Sequence, residues 1–430
     1  MQTESLAPES PILQNPASKS PIPKNSAPTK FDNKLKKIVH NPLFKIALFS
    51  TTSMTVLGSV VIAPSLPSLQ NHFHNVAGID FLSKLVLTLP ALFVMFFSPL
   101  SGYLLDRYGR IKFLFPAMVL WSLAGFSGFF LDDIYLILIS RAIFGITTAF
   151  VMTGATALVG DYYLGEDRQK ALGLQGFFTA AGSAVFISLG GYLSSIDWRY
   201  PFLAYLLGIV VAIFASTKLF EPHRHRFDKK TQNAQAPQNG FRFFNFFPIY
   251  LLVFFCMVVY YISPTQIPFF IVHNLGKDSD IVGVSMSVSA IAYGAFALFY
   301  SRLRNMWSIA GVYAFGFCLM GTAFLLLYVF HNYLIVMVSL AFLGAGGGLM
   351  IVNSSSYLLS IAPEHQRAKA LGFMASSIFF GQFASPLITQ SIVNNISLLG
   401  LFLLFACVLY VLGLLFVLRS KKPFGHSLAT

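Results

Sequence analysis

The sequence predicts an all-α membrane protein, with twelve transmembrane helices arranged as two pseudo-symmetric six-helix halves. Three observations predict it. Twelve apolar runs each have the length that crosses a bilayer. Lysine and arginine crowd into alternate connections between those runs. A set of residues in the first half recurs in the second at a fixed offset of 199 positions.

The bulk composition sets the class. The chain is 56% hydrophobic, 16% aromatic and 10% charged, with a mean hydropathy of +0.69. A soluble domain carries about 25% charged residues, so this chain has too few to cover a globular surface in water. The net charge of +13 does not mark a nucleic-acid binder, because the cations lie in short loops and tails rather than on one face. Cys256, Cys318 and Cys407 each fall inside an apolar run and have neither disulfide nor metal-ligand spacing, so they read as packing residues. No phosphate-binding loop, metal cluster or nucleophile elbow is present in the sequence, so an enzyme, a metal and a cofactor are all unsupported.

A helix rises about 1.5 Å per residue, so roughly 20 apolar residues span the hydrocarbon layer. By that measure the spans lie near 44–69, 82–105, 113–131, 134–160, 168–194, 199–219, 246–272, 280–301, 305–330, 333–361, 367–394 and 397–418. Of the 29 lysines and arginines, 25 fall on the side of the amino terminus. Lys84, Arg199 and Lys277 fall on the other side, and Arg141 lies within a span. That asymmetry predicts both termini in the cytoplasm, as in a multi-pass protein of a plasma membrane such as the bacterial inner membrane.

The connections divide the chain. Residues 1–41 are polar and proline-rich and predict a disordered cytoplasmic tail. Two bundles follow at 42–219 and 246–419, separated by a polar cytoplasmic linker at 220–245 and closed by a tail at 420–430. The repeat carries Lys170-Ala171-Leu172-Gly173 onto Lys369-Ala370-Leu371-Gly372, Gly145 onto Gly344 and Gly182 onto Gly381. Four identities in a row, in equivalent loops, point to duplication.

The most informative stretch is the turn from Gly102 to Lys112, a carboxylate and three cations between two apolar runs. Such a turn sits where water meets lipid. Gly102 and Gly109 remove side chains where helix backbones approach closely. Asp106 and Arg110, four apart, could pair on one face or cap a neighbouring helix end. Arg141 reads as the one charged side chain deep in a span, where insertion costs about 2.5–3.5 kcal/mol. It should therefore face a cavity or partners: backbone carbonyls, polar side chains, water or a bound anion. No acid lies at comparable depth; span 1 offers Thr51, Thr52, Ser53 and Thr55, and Asp106 and Asp161 sit at span ends. The candidate cavity lining comes from polar groups beside helix breakers: Tyr260, Tyr261, Ser263, Pro264 and Gln266 in span 7, Asn353 in span 10 after the glycine run 344–348, read as flexible, and Gln382 in span 11. Each of these could equally be helix–helix glue.

These residues carry a resemblance. The chain resembles the major facilitator superfamily of transporters and, within it, the twelve-span drug:proton antiporters. The charged turn matches a Gly-x-Leu-x-Asp-Arg-x-Gly-Arg signature through Gly102, Leu104, Asp106, Arg107, Gly109 and Arg110, with Ile111 where a further cation is usual. Leu57-Gly58 followed by Pro64 and Pro67 matches a span 1 signature, and Arg141 with Gly145 matches one in span 4, with Phe144 in place of glutamine. Gly173, Gly182, Gly190 and Gly191 keep the register of an antiporter run in span 5, whose central Gly-Pro pair is here Phe186-Ile187.

The resemblance implies alternating access around a midplane site, with the charged turn closing the cytoplasmic side against span 11. It implies proton coupling through the position of Arg141, and Asp106 and Asp161 are the acids available to take part. The expected activity is export of hydrophobic or amphipathic small molecules in exchange for protons, by a monomer in the bilayer. The alternatives are a specific carrier of a metabolite such as a sugar, siderophore or organic anion, or a non-transporting sensor or scaffold.

Overall fold

The computed structural model describes residues 38–163, 165–221, 243–363 and 366–419. The disorder expected of residues 1–37, the body of the linker at 222–242 and the tail at 420–430 lie outside the described residues.

Apolar runs in lipid must satisfy their backbone groups internally, and among the described residues every regular element is helical. The first half is α1 (Pro42–Val60), α2 (Ile79–Tyr108), α3 (Arg110–Phe126), α4 (Ile134–Tyr162), α5 (Gly165–Ile196) and α6 (Leu207–Lys218). The second half is α7 (Phe247–Tyr260, carried on by Ile262–Phe269), α8 (Ser279–Met306), α9 (Ile309–Val329), α10 (Tyr333–Ile361), α11 (Arg367–Ile396) and α12 (Leu398–Arg419). Eleven spans meet the length and hydropathy needed to cross a membrane, with Tyr200–Lys218 and Phe247–Asn274 each counted as one. The 19-residue α1 packs beside them as the twelfth. It stops where Pro64 and Pro67 interrupt regular hydrogen bonding, and the chain continues through a 3-10 turn at Ala63–Ser65 and a short helix at Leu66–His72. Large apolar side chains such as Ile139, Val210, Ile213 and Leu414 are exposed, which suits a lipid-facing surface.

The duplication is visible in contacts. Gly145 on α4 lies so close to α2 that an added Cβ would stand 2.6 Å from the Pro90 carbonyl oxygen. At the same offset, Gly344 on α10 lies against the Ser289 carbonyl of α8, tighter still. The helix caps repeat as well. Asp133 accepts from the Tyr135 amide at 2.7 Å to start α4, and Asn332 accepts from the Leu334 amide at 2.9 Å to start α10. Two pseudo-symmetric helix bundles therefore share one packing plan.

Two expectations change here. The glycine run 344–348 is not a flexible segment. It is fully buried helix, and Gly347 lies flat against the Tyr260 ring while Gly348 meets the Tyr293 carbonyl. Small residues in lipid let backbones touch, and this run brings α10 against α7, α8 and α9 at once. Lys84, counted with the charges on the other side, is not exposed to water there. It lies inside α2 and is 3% exposed, so Arg141 is not the one buried charge.

Candidate functional site

The two halves meet along two seams, α5 against α8 and α2 against α11. Both are tight at the end of the bundle away from the charged turn, here the far end. Gly191 and Gly283 bring the α5 and α8 backbones into contact, so that a Cβ on Gly191 would lie 2.7 Å from the Gly283 Cα. Ser287 adds hydrogen bonds of 2.8 Å to Ser188 and to the Ala184 carbonyl. At the turn end the seams part. Gly173, Gly176 and Gly372 have nothing within 4 Å of where a side chain would begin, and Phe177 and Leu298 are exposed.

Between the parted ends lies a cavity of about 800 Å³, lined by residues of both halves. Its polar groups are Thr179, Ser183, Tyr260, Tyr261, Ser263, Ser289, Tyr293 and Gln382, and among the described residues no Asp, Glu, Lys, Arg or His lines it. The Tyr260 and Tyr293 rings are 5.3 Å apart and tilted, leaving an aromatic wall with hydroxyl groups. Met257, Met286, Phe177, Ile291, Ile351 and Ile378 supply apolar surface.

The structure divides the residues singled out by sequence. Tyr260, Tyr261 and Gln382 line the cavity, as does Gly173. Thr52, Thr55, Gln266, Asn353 and Arg141 do not. The Thr52 and Thr55 hydroxyls donate to carbonyls of their own helix, those of Phe49 and Thr52, at 2.7 Å each. Asn353 joins α8, α9 and α10, accepting from the Tyr300 hydroxyl at 3.2 Å and donating to the Ile309 carbonyl at 3.0 Å. Gln266 belongs to a polar cluster at the far end. Thr179, Ser183, Ser289 and Tyr293 were not singled out, because a lone hydroxyl in an apolar helix does not reveal which way that helix is turned.

Arg141 is held wholly within the first half. It donates to the Ala124 and Gly125 carbonyls at 2.9 and 2.8 Å and to the Tyr205 hydroxyl at 3.2 Å. Its guanidinium also stands 4.9–5.2 Å from the ring centres of Phe144, Phe202 and Tyr205. Carbonyls, a hydroxyl and aromatic faces offset its burial. Gly58 makes room for this aromatic box, since a Cβ there would strike Phe144 at 2.5 Å. Gly190, at the α1–α5 contact, presses on the Val61 carbonyl, whereas Gly182 has only ordinary contact with Ser53.

The charged turn forms a network with α4 and with Glu221 just beyond α6. Gly109 takes φ +108°, which a side chain would disfavour, and this lets α3 restart immediately after α2. Gly102 has room to spare, its nearest neighbour for an added Cβ being Thr153 at 3.8 Å, so close approach does not explain it here. Arg110 pairs with Asp106 at 3.4 Å and with Asp161 on α4. Arg107 donates to the Tyr103 hydroxyl at 2.7 Å. Glu221 was not anticipated: it accepts from the Arg110 and Ile111 amides at 2.7 and 2.8 Å, placing a carboxylate on the positive end of α3. The rest of the linker gave no local pattern that could mark it. Near the same end, burial beside Asp167 pushes the Tyr163 hydroxyl up to about 12.

Two halves, two seams and one central cavity define a secondary transporter. The Major Facilitator Superfamily model matches residues 48–276 and 249–429, and the chain belongs to that family. It is 24% identical over 387 residues to multidrug resistance protein 1 of Bacillus subtilis (strain 168), covering 87% of this chain and 96% of that one. It is also 24% identical to the bacillibactin exporter of the same organism over 394 residues, covering 88% and 96%. Among solved structures it superposes on the inward-open xylose transporter of E. coli with a TM-score of 0.70 and 15% identity, covering 90% and 98%. The chain is a multi-pass membrane transporter for a small molecule and not an enzyme.

Proposed function

We propose that the protein carries an uncharged, hydroxylated or amphipathic metabolite across the plasma membrane by alternating access. The observation that carries this reading is the lining of the cavity, which among the described residues offers eight polar side chains and no charged one. A permanent ion entering it would give up hydration without meeting a counter-charge, at a cost of several kcal/mol. A neutral solute can hydrogen-bond to the tyrosine, serine and glutamine groups and lay an apolar face on Tyr260 and Tyr293. The distribution of lysines and arginines supports a cytoplasmic turn end, and with that orientation the cavity in this state opens inward. One chain encloses the whole cavity and suffices as the working unit. Whole-length similarity to a multidrug resistance protein favours a second reading, efflux of drug-like compounds in exchange for protons. In that reading the proton would ride outside the cavity, on Asp106 or Asp161 beside Arg110.

Flux into liposomes separates the two. Purified protein should move neutral sugars or neutral aromatic metabolites, with a raised KM in Tyr260→Ala and Gln382→Ala. Accumulation of permanently cationic dyes driven by a pH gradient, with no flux of neutral solutes, would contradict the first reading and support the second.

A further inference from the structure

We propose that Lys84 is the latch that holds the far end of the bundle shut, and that its bond to Gln390 breaks each time the halves rock open there. Lys84 stands on α2, in the first half, and its ammonium donates to Gln390 Oε1 on α11, in the second. It also lies 4.5 Å from the centre of the Phe269 ring, on the continuation of α7. The acceptor is fixed by its own half. Gln266 Nε2 donates to the same oxygen at 3.4 Å and to Thr389 Oγ1 at 3.2 Å, and Gln390 Nε2 donates to Asn394 Oδ1 at 2.8 Å. The lysine enters a socket already built.

The pseudo-symmetry sharpens this. At the offset of 199, Lys84 corresponds to Gly283 and Gln390 corresponds to Gly191. These are the two glycines whose backbones touch in the other seam. Equivalent places thus carry opposite chemistry. The α5–α8 seam closes by bare backbone contact, with no polar group to release at the glycines themselves. The α2–α11 seam closes by one buried cation held by an amide and a ring.

No ion pair to Lys84 is present among the described residues. The acid on its own helix, Asp80, accepts a hydrogen bond from Gln70 at the exposed start of α2. An amide and an aromatic face hold an ammonium less firmly than a buried carboxylate would, which suits a contact that must open and reform. When the far end opens, the ammonium regains water and the cluster of Gln266, Thr389, Gln390 and Asn394 is exposed with it.

The proposal depends on rocking of the halves and not on which solute is carried, so the flux result above can fail while this one stands. Hydrogen–deuterium exchange on the full chain in lipid nanodiscs tests it. Lys84→Met, and separately Gln390→Ala, should speed exchange over 79–90 and 386–396 by roughly tenfold or more. The same variants should slow exchange at the turn end, over 170–177 and 294–304, as the cavity mouth closes. Gln390→Glu should act oppositely, slowing the far end, because a carboxylate tightens the latch. Exchange that is unchanged at the far end, or faster at both ends alike as in general loosening, would overturn the proposal. So would a faster far end in Gln390→Glu.

Discussion

Arg141 and Lys84 are both cations buried in the membrane region, and they do different work. All the bonds described for Arg141 go to residues of the first half, so it travels with that half as a rigid body. The bond from Lys84 crosses to the second half. A bond inside a half contributes to stability and has no preference between inward- and outward-facing states. A bond across the seam exists in one state and not the other, so it sets a population. The location of the partner, more than the depth of the charge, separates structure from mechanism.

Several substitutions can break that distinction, and the largest effect belongs to Arg141. Arg141→Ala strands the Ala124 and Gly125 carbonyls and opens a void among three rings, at a cost of about 3 kcal/mol. Thermal unfolding in detergent should show the loss, while the pH dependence of flux per folded molecule stays unchanged. A changed pH profile with an unchanged melting temperature would assign Arg141 to coupling instead. Next come Gly145→Ala and Gly344→Ala, which push a methyl group onto the Pro90 and Ser289 carbonyls. Each should cost about 1–3 kcal/mol of stability, and matched losses in the two would reflect the repeat. Lys84→Met should alter unfolding by less than about 1 kcal/mol, because an apolar chain of similar size fills the site. A large fall in melting temperature there would make Lys84 a second Arg141.

Smaller effects are expected at exposed tethers within the first half. Glu221→Gln removes the charge from the start of α3 and should cost about 0.5–1 kcal/mol, readable as earlier melting at low salt. Asp132 ties the far end of that half together, bonded to His72 Nε2 at 2.7 Å and to Arg199 at 2.6 Å. The hydrogen bond from His72, with help from Arg199, holds its carboxyl below the ordinary value of 3.8. A lowered carboxyl stabilises the fold above its unfolded pKa and loses that contribution as pH falls through the folded one. The tether should therefore weaken only below about pH 4, and Asp132→Asn should remove that acid sensitivity without altering exchange at the seams.

Much of this was legible in the sequence because the rules of lipid are strict. Apolar length places most spans to within a few residues, although α1 ends at Val60 and not near 69, and the offset linking Gly145 to Gly344 locates a contact that the structure then shows twice. The site was less legible. Asn353 and Gln382 look alike as polar side chains in apolar helices, yet one binds helices together and the other faces the cavity, and only the rotation of each helix decides. Lys84 was hidden because a lysine one turn inside a span looks like one at its edge. The distance to Gln390 along the chain left no local pattern to correct that. Arg141 was conspicuous for its depth, but its partners, two carbonyls and three rings, are invisible to any motif.

The central claim is that the two ends of the bundle open in alternation, with the far end closed in the state described here. Paired spin labels test it most directly, with one pair at the far end on Ala77 and Asn395 and one at the turn end on Tyr108 and Met306. The background is a full chain with Cys256, Cys318 and Cys407 replaced. The account predicts that Lys84→Met lengthens the first distance and shortens the second in the same sample. Two distances that move together, or a far-end distance that stays fixed, would contradict it.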